Sequence, residues 1–234
     1  MPVSSGSLGH GAARCTRGLS LVEMMVGIAV GMMVVAGASF VAVNQIGENR
    51  QLFLETQVQQ DLRAAADMVA RDLRRAGYWG AAESGVWVGD APAVASNPYA
   101  ATTPGAAASV PVSEVTFAYS RGTEDDSIDD AQEGFGFKLD AGALKMRIGG
   151  AWQALTDTNV LEVTRFDVVL QTQTLQQHCY KECVGGGTAC WPTETVRRFV
   201  IDIAGHAVTD PAVARSVRDS VRLRNDATTG ACPA

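Results

Sequence analysis

The chain has 234 residues, of which 47% are hydrophobic and 6% are aromatic, and its formal net charge is −6. This length and apolar content are typical of a folded domain with an anchor, and they exclude a disordered chain. The acidic balance argues against nucleic-acid binding.

The first predicted element is an apolar segment near the N-terminus. Met24–Val43 contains 20 residues without a charge, and a helix of that length spans about 30 Å, the thickness of a hydrocarbon core. Arg14 and Arg17 precede it, so we expect a cytoplasmic N-terminus and an exported body. Glu23 stands directly before the segment, and a carboxylate left alone at membrane depth costs on the order of 2–3 kcal/mol.

Three interpretations of this segment compete. A cleaved signal peptide fits because Ala36–Ala38 has small side chains at a cleavage site and would leave Ser39 as the new N-terminus. An uncleaved single-pass anchor fits the length alone, and neither interpretation explains Glu23. The third rests on Gly18–Glu23, Gly-Leu-Ser-Leu-Val-Glu, which resembles the processing site of type IV prepilins and pseudopilins.

This resemblance implies a maturation step and an assembly contact. In that family a membrane peptidase cuts after the glycine and methylates the new N-terminus, which implies cleavage between Gly18 and Leu19 and methylation of Leu19. Leu19 departs from the Phe or Met that is commoner there, and Cys15 would be lost with the leader. Glu23 would be the fifth mature residue and would pair with the terminal amine of a neighbouring subunit or, alternatively, with its own.

The helix is predicted to continue beyond the membrane. No proline interrupts Leu19–Ala76, and Gly77 follows Arg74 and Arg75 as a stop signal. The alternative is an anchor joined at Gly47 to a separate domain helix. Apolar residues recur every three or four positions and predict one buried stripe: Leu54, Val58, Leu62, Ala65, Val69, Leu73 and Ala76.

Two later stretches extend the resemblance to minor pilins of the PilW type. Arg71–Gly80, RDLRRAGYWG, is similar to the end of the long helix in those proteins, and Val221–Asn225, VRLRN, is a looser likeness. Tyr78 and Trp79 are expected to pack where the helix meets the sheet.

The remaining chain is predicted to form a β-rich head. Four prolines break residues 78–112 into a loop, and Ala141–Gly142 is expected to form a hairpin turn. Alternating stretches predict strands at Ser113–Ser120, Phe135–Asp140, Ala143–Gly149, Val160–Gln173, Val196–Gly205 and Ser216–Asp226. The fold class is therefore α+β and pilin-like, with a long N-terminal α-helix, transmembrane in its first half, packed on a mainly antiparallel sheet.

The predicted organisation has five parts. They are a prepilin leader at 1–18, a transmembrane half of the stalk helix at 19–43, its periplasmic amphipathic half at 44–77, a variable loop at 78–112, and a β-sheet head with a Cys-rich loop at 113–234.

Two loops of the head carry candidate chemistry. The acidic run Glu124–Glu133 is interpreted as solvated because it lacks the ligand spacing of an EF-hand, and calcium binding through its carboxylates is the alternative. The four late cysteines are Cys179, Cys183, Cys190 and Cys232. Behind an export segment they favour two disulfides over a zinc site, and three pairings stay open.

No enzyme signature is present. His10, His178 and His206 are scattered, and neither a nucleophile elbow nor a phosphate loop occurs. We therefore expect no catalysis, no cofactor and no metal.

The resemblance implies a minor pilin that primes or assembles type IV pili at the filament tip, where pili serve adhesion and twitching motility. It would lie in the inner membrane and later in the pilus. The implied partners are major and minor pilins through the N-terminal helix, the prepilin peptidase, the inner-membrane assembly platform, and a tip adhesin. The alternatives are a minor pseudopilin of type II secretion and a soluble periplasmic binding or adhesive domain.

Overall fold

The structure is a computed structural model, and it describes residues 18, 20–85, 95–105, 110–122 and 127–233. The chain divides into two compact units, Met1–Arg50 and Gln51–Ala234. Helix α1, Leu21–Leu73, begins in the first unit and ends in the second. The predicted long helix is confirmed, although it ends three residues earlier than expected, before a hydrogen-bonded turn in which the Ala76 N–H donates to the Leu73 carbonyl (3.1 Å).

In the first unit, residues 21–50 are helical. Every side chain from Ser20 to Arg50 is exposed, and α1 is long and apolar enough to cross a membrane. In water such a surface would be strongly unfavourable because each exposed Val, Leu or Ile forgoes roughly 1.5–3 kcal/mol of burial free energy. The first unit therefore requires an apolar environment.

In the second unit, α1 buries one stripe of side chains. The predicted stripe is confirmed: Val58, Leu62, Val69 and Leu73 are at most 1% exposed, and Leu54 is partly buried. Ala65, Ala66, Ala70 and Ala76 fill the positions between them. These small side chains allow the helix backbone to approach the strands closely.

The described strands of the second unit form two antiparallel sheets. The first sheet has the order β1 to β5, with β1 at Thr102–Thr103, β2 at Glu114–Ala118, β3 at Gly134–Asp140, β4 at Ala143–Ile148 and β5 at Ala151–Ala154. The second has β7, Thr193–Ala207, at its centre, flanked by β6, Leu161–Gln176, on one side and by β8, Asp210–Arg222, and β9, Ala227–Thr229, on the other.

One hydrophobic core joins α1 to both sheets. Phe137 and Leu144 come from the first sheet, while Phe166, Phe199 and Ile201 come from the second. The alternating burial of β7, in which every second residue from Arg197 to Ala207 is buried, follows from the period of two in a strand. The fold is therefore the predicted α+β class.

Several local expectations are corrected by the structure. The head contains two sheets instead of one, and the described residues include three short strands, β1, β5 and β9, that the alternation did not predict. Ala141 and Gly142 form the predicted hairpin turn with φ values of 51° and 75°, as a type I′ turn requires. Trp79 is buried as expected, but Tyr78 is half-exposed.

Candidate functional site: the N-terminal processing segment and the disulfide-bonded loop

The processing segment lies at the start of α1. Gly18 is exposed and lies outside the helix, with no described atom within 4 Å of a Cβ added there. Leu19 lies outside the described residues. The Met24 N–H donates to the Ser20 carbonyl (3.0 Å), so the helical hydrogen bonds begin at Ser20.

Glu23 lies in the first turn of α1 and is exposed. A carboxylate at this position interacts favourably with the positive end of the helix dipole, and the first turn also has unpaired N–H groups. The first residue of the motif, Gly18, therefore precedes α1, and the last, Glu23, lies in the first turn of that helix. The structure describes a single chain, so the cation that would pair with Glu23 stays a prediction.

In the first unit, large apolar side chains are exposed on all sides of α1. Large side chains that are more than half exposed in the first unit include Leu21, Val22, Met24, Met25, Val26, Ile28, Val30, Met32, Met33, Val34, Val35, Phe40, Val41, Val43 and Ile46. A helix that is hydrophobic all round is suited to lipid or to other apolar helices, not to one sheet.

The four late cysteines form two disulfides in the structure. Cys179 bonds to Cys232, 53 residues later, and Cys183 bonds to Cys190, seven residues later. All four sulfurs are thereby used, and no group of three metal-binding side chains occurs in the described part of the chain. The first bond ties the β6–β7 loop to the C-terminal tail, and the second closes a turn within that loop.

The loop between β6 and β7, residues 177–192, is held in place by further contacts. The Gln177 N–H donates to the Pro192 carbonyl (2.8 Å), and the Trp191 indole N–H donates to the Lys181 carbonyl (2.9 Å). The rings of His178 and Trp191 lie 4.6 Å apart. His178 is thus used in packing within this loop.

Sequence reasoning missed a buried carboxylate in the acidic run. Glu133 is 4% exposed, and its oxygens accept hydrogen bonds from the Tyr99 hydroxyl, the Arg121 N–H and the Asp129 N–H, each at 3.0 Å. Burial raises the pKa of Glu133, but these hydrogen bonds lower it further, so the pKa lies below its ordinary value. The expectation of a solvated run is therefore wrong for Glu133, while Glu124, Asp125 and Asp126 lie outside the described residues.

A buried arginine joins the segment after α1 to the second sheet. Arg197 donates to the Ala100 carbonyl and, at 3.0 Å, to the Asn225 carbonyl. A Cβ added to Gly77, whose φ is 75°, would lie 3.1 Å from the Arg197 Nη2. Burial lowers the pKa of Arg197, and the charge of Asp226 opposes that change. Gly77 is thus required both by its backbone conformation and by the guanidinium beside it.

An apolar helix with one acid in its first turn, on an antiparallel head, defines a type IV pilin-like protein anchored in a membrane. The model of the prokaryotic N-terminal methylation motif matches residues 13–39, and the model of prepilin peptidase-dependent protein B matches residues 51–223. The chain belongs to the prepilin peptidase-dependent protein B family. No curated protein and no solved structure matches the chain.

Proposed function

We propose that this chain is a minor pilin, most similar to the PilW type, that takes part in priming or assembling type IV pili at the filament tip. Prepilin peptidase would cut between Gly18 and Leu19, remove the leader 1–18, and leave a methylated Leu19. The observation that carries the proposal is Glu23, the only charged side chain from Leu21 to Gly47 of α1.

The physical reason is that Glu23 needs a cation at the same depth. Cleavage creates an amine at Leu19, four residues before Glu23. An ammonium and a carboxylate attract strongly where water is scarce, whereas each is costly alone. Pairing between neighbouring subunits would fix the register of helices that otherwise associate through non-directional apolar packing.

The proposed topology follows from the charges around the helix. Arg14 and Arg17 would keep the leader in the cytoplasm, and the head would lie in the periplasm before it enters the pilus. Two disulfides in the head fit that oxidising compartment. The proposed partners are other pilins, the prepilin peptidase, the inner-membrane assembly platform and a tip adhesin.

Mass spectrometry of the mature N-terminus tests this proposal. The full chain is expressed with a prepilin peptidase, purified from membranes, and analysed for its first peptide. We expect a methylated Leu19. We expect Gly18→Val to leave the leader attached because a side chain at the cut obstructs the peptidase, whereas Gly11→Val, a matched change within the leader, is processed normally.

The alternatives give different results in the same experiment. A mature chain that begins at Ser39 would indicate signal peptidase and a released periplasmic domain, and an uncut chain would indicate a simple anchor. Either result contradicts the proposal. Co-purification with secretion components, in place of pilus components, would assign the processed chain to a type II secretion pseudopilus.

A further inference from the structure

Three exposed arginines share the outer face of the second sheet, and a fourth lies two residues beyond the end of β8. β7 and β8 pair so that Arg198 lies directly opposite Arg222, and directly opposite residues point to the same side of a sheet. Arg218 lies four residues before Arg222 in β8 and points to that side as well, whereas Arg224 is exposed in a bend just beyond the end of β8. Phe199, Val221 and Leu223 alternate with these residues and are buried on the opposite side. We call Arg198, Arg218, Arg222 and Arg224 the arginine face.

The positive charge of the arginine face is largely uncompensated. In the described part of the chain, Asp226 is the one carboxylate that forms a salt bridge with any of the four, and it contacts Arg222. Like charges directly opposite in a sheet are destabilising, and the Arg222–Asp226 salt bridge reduces this cost for the Arg198–Arg222 pair. Arg198 and Arg224 have no described salt bridge of their own.

The other end of the same sheet face has more carboxylates than cations. Arg165 contacts Asp202 at 2.8 Å and Asp167 at 3.8 Å, and His206 lies 3.4 Å from Glu162. Asp202 lies opposite Arg218 in the register but hydrogen-bonds to Arg165. Among the described residues, this sheet face therefore has its carboxylates mainly at one end and its arginines at the other, in a chain whose net charge is −6.

We propose that the arginine face binds an acidic segment of another polypeptide in an extended conformation. Arg218 and Arg222 are four residues apart in β8, a spacing of about 13–14 Å along a strand. A partner strand with carboxylates four positions apart has the same spacing. Guanidinium groups bind carboxylates through two parallel hydrogen bonds, which gives such a contact direction as well as charge.

The local extent of the charge favours a short acidic polypeptide over a long polyanion. The four arginines occupy β7, β8 and the bend just beyond β8, while the chain as a whole is acidic with a pI near 5.1. A duplex or an anionic membrane would extend past the patch onto surface of its own sign. This contact goes beyond the proposed function, which uses α1, and does not depend on it.

Fluorescence anisotropy with a labelled peptide tests the proposal. The full chain in a non-ionic detergent is titrated against a ten-residue peptide of alternating Glu and Thr, at low and at moderate salt. We expect binding that weakens with salt. We expect Arg198→Gln combined with Arg224→Gln to lower the affinity about tenfold or more, and Arg218→Gln alone to lower it less. The control combines Arg63→Gln on α1 with Arg74→Gln directly after it, which removes two exposed charges elsewhere, and should change the affinity less than twofold.

A thermal melt separates binding from folding. If the arginines serve a partner, removing Arg198 and Arg224 relieves the cross-strand repulsion, and the melting temperature stays the same or rises by about 1–3 °C. A fall of several degrees would overturn the proposal because the arginines would then serve the fold. Equal loss of affinity in the control pair, no peptide binding, or tighter binding to duplex DNA or to phosphatidylglycerol vesicles would overturn it as well.

Discussion

At the scale of single residues, the head depends on a carboxylate that closes a loop. Glu133 accepts hydrogen bonds from Arg121 and Asp129, which lie on the two sides of residues 122–128, and from the Tyr99 hydroxyl. Two backbone donors and a hydroxyl thus converge on one buried group. A buried carboxylate is stable only with such partners, so Glu133 and the ends of this loop hold one another in place.

This arrangement predicts acid sensitivity. The pKa of Glu133 is lowered in the folded state, so its stabilising contribution is fully present above its unfolded pKa of about 4.5 and is lost as the pH falls through the folded value. We expect Glu133→Gln to lower the free energy of unfolding at pH 7 by about 1–3 kcal/mol, since an amide replaces a charged acceptor. We also expect the variant to have a flatter dependence on pH below 4.5.

Denaturant titrations of the full chain at pH 7 and at pH 3.5, followed by tryptophan fluorescence, measure both effects. Glu114→Gln is the matched control because Glu114 is exposed, and it should change the free energy of unfolding by less than about 0.5 kcal/mol. Equal pH profiles for Glu133→Gln and the original chain would contradict the assigned role.

The sequence could not reveal this role of Glu133. Its partners Tyr99 and Arg121 are 34 and 12 residues away, and no local period links them. An acidic run has the composition of a solvated loop, so composition alone assigns Glu133 to water. Leu62, by contrast, repeats with its neighbours at helical spacing, and this local pattern predicted its burial.

At the scale of elements, the side chains of α1 in the second unit differ widely in how much of their surface is buried. Leu62 is fully buried, whereas Leu52, ten residues earlier on the same helix, is 60% exposed. We expect Leu62→Ala to lower the free energy of unfolding by about 2–5 kcal/mol because it removes buried surface and leaves a cavity. Leu52→Ala, the matched control, should change it by less than about 0.5 kcal/mol. Chemical unfolding of both variants in the same detergent measures the difference, and equal values would contradict the packing described here.

The two disulfides are expected to differ in their contribution to stability. Loop closure depends on the length of chain that a bond encloses, and the separations are 53 and 7 residues. The chain-entropy model gives about 4 kcal/mol for Cys179–Cys232 and about 2 kcal/mol for Cys183–Cys190. We therefore expect the double change to Ser at 179 and 232 to be the more destabilising.

Paired Ser variants of each bond, compared with the intact chain by thermal unfolding under oxidising conditions, check this order. The Cys183 and Cys190 pair is the internal control, since it removes the same atoms from a shorter loop. A larger loss of stability from that pair would contradict the loop-closure account.

At the scale of elements, sequence and structure agree where the pattern is long. α1, β6, β7 and β8 are each longer than ten residues, and each was predicted with its ends in error by up to six residues. β1 and β9 have two and three residues, which is too short for a period of two to appear. The division into two sheets depends on contacts between distant strands, and alternation within one strand contains no information about them.

At the scale of the whole molecule, the processing segment was predicted from the sequence because its chemistry is local. A glycine, an apolar residue and an acid within six positions precede a 20-residue apolar segment, and this combination is specific without any knowledge of the head. The disulfide pairing was not predictable, because it depends on how β6, β7 and the C-terminal tail come together. The arginine face likewise appears only once the β7–β8 register is known.

The last prediction concerns Glu23 in the assembled state. If Glu23 pairs with the amine of a neighbouring subunit, Glu23→Ala should leave cleavage after Gly18 largely intact, since the bond cut lies five residues earlier. Incorporation into filaments should fall roughly tenfold or more, because each chain would then place an unpaired ammonium in an apolar environment. The measurement compares the amount of mature chain in sheared filaments with that in membranes. Ser39→Ala, a neutral change in the same apolar segment, is the control. Normal incorporation of Glu23→Ala would show that apolar packing alone sets the register of the helices, and the charge pair would have no part in assembly.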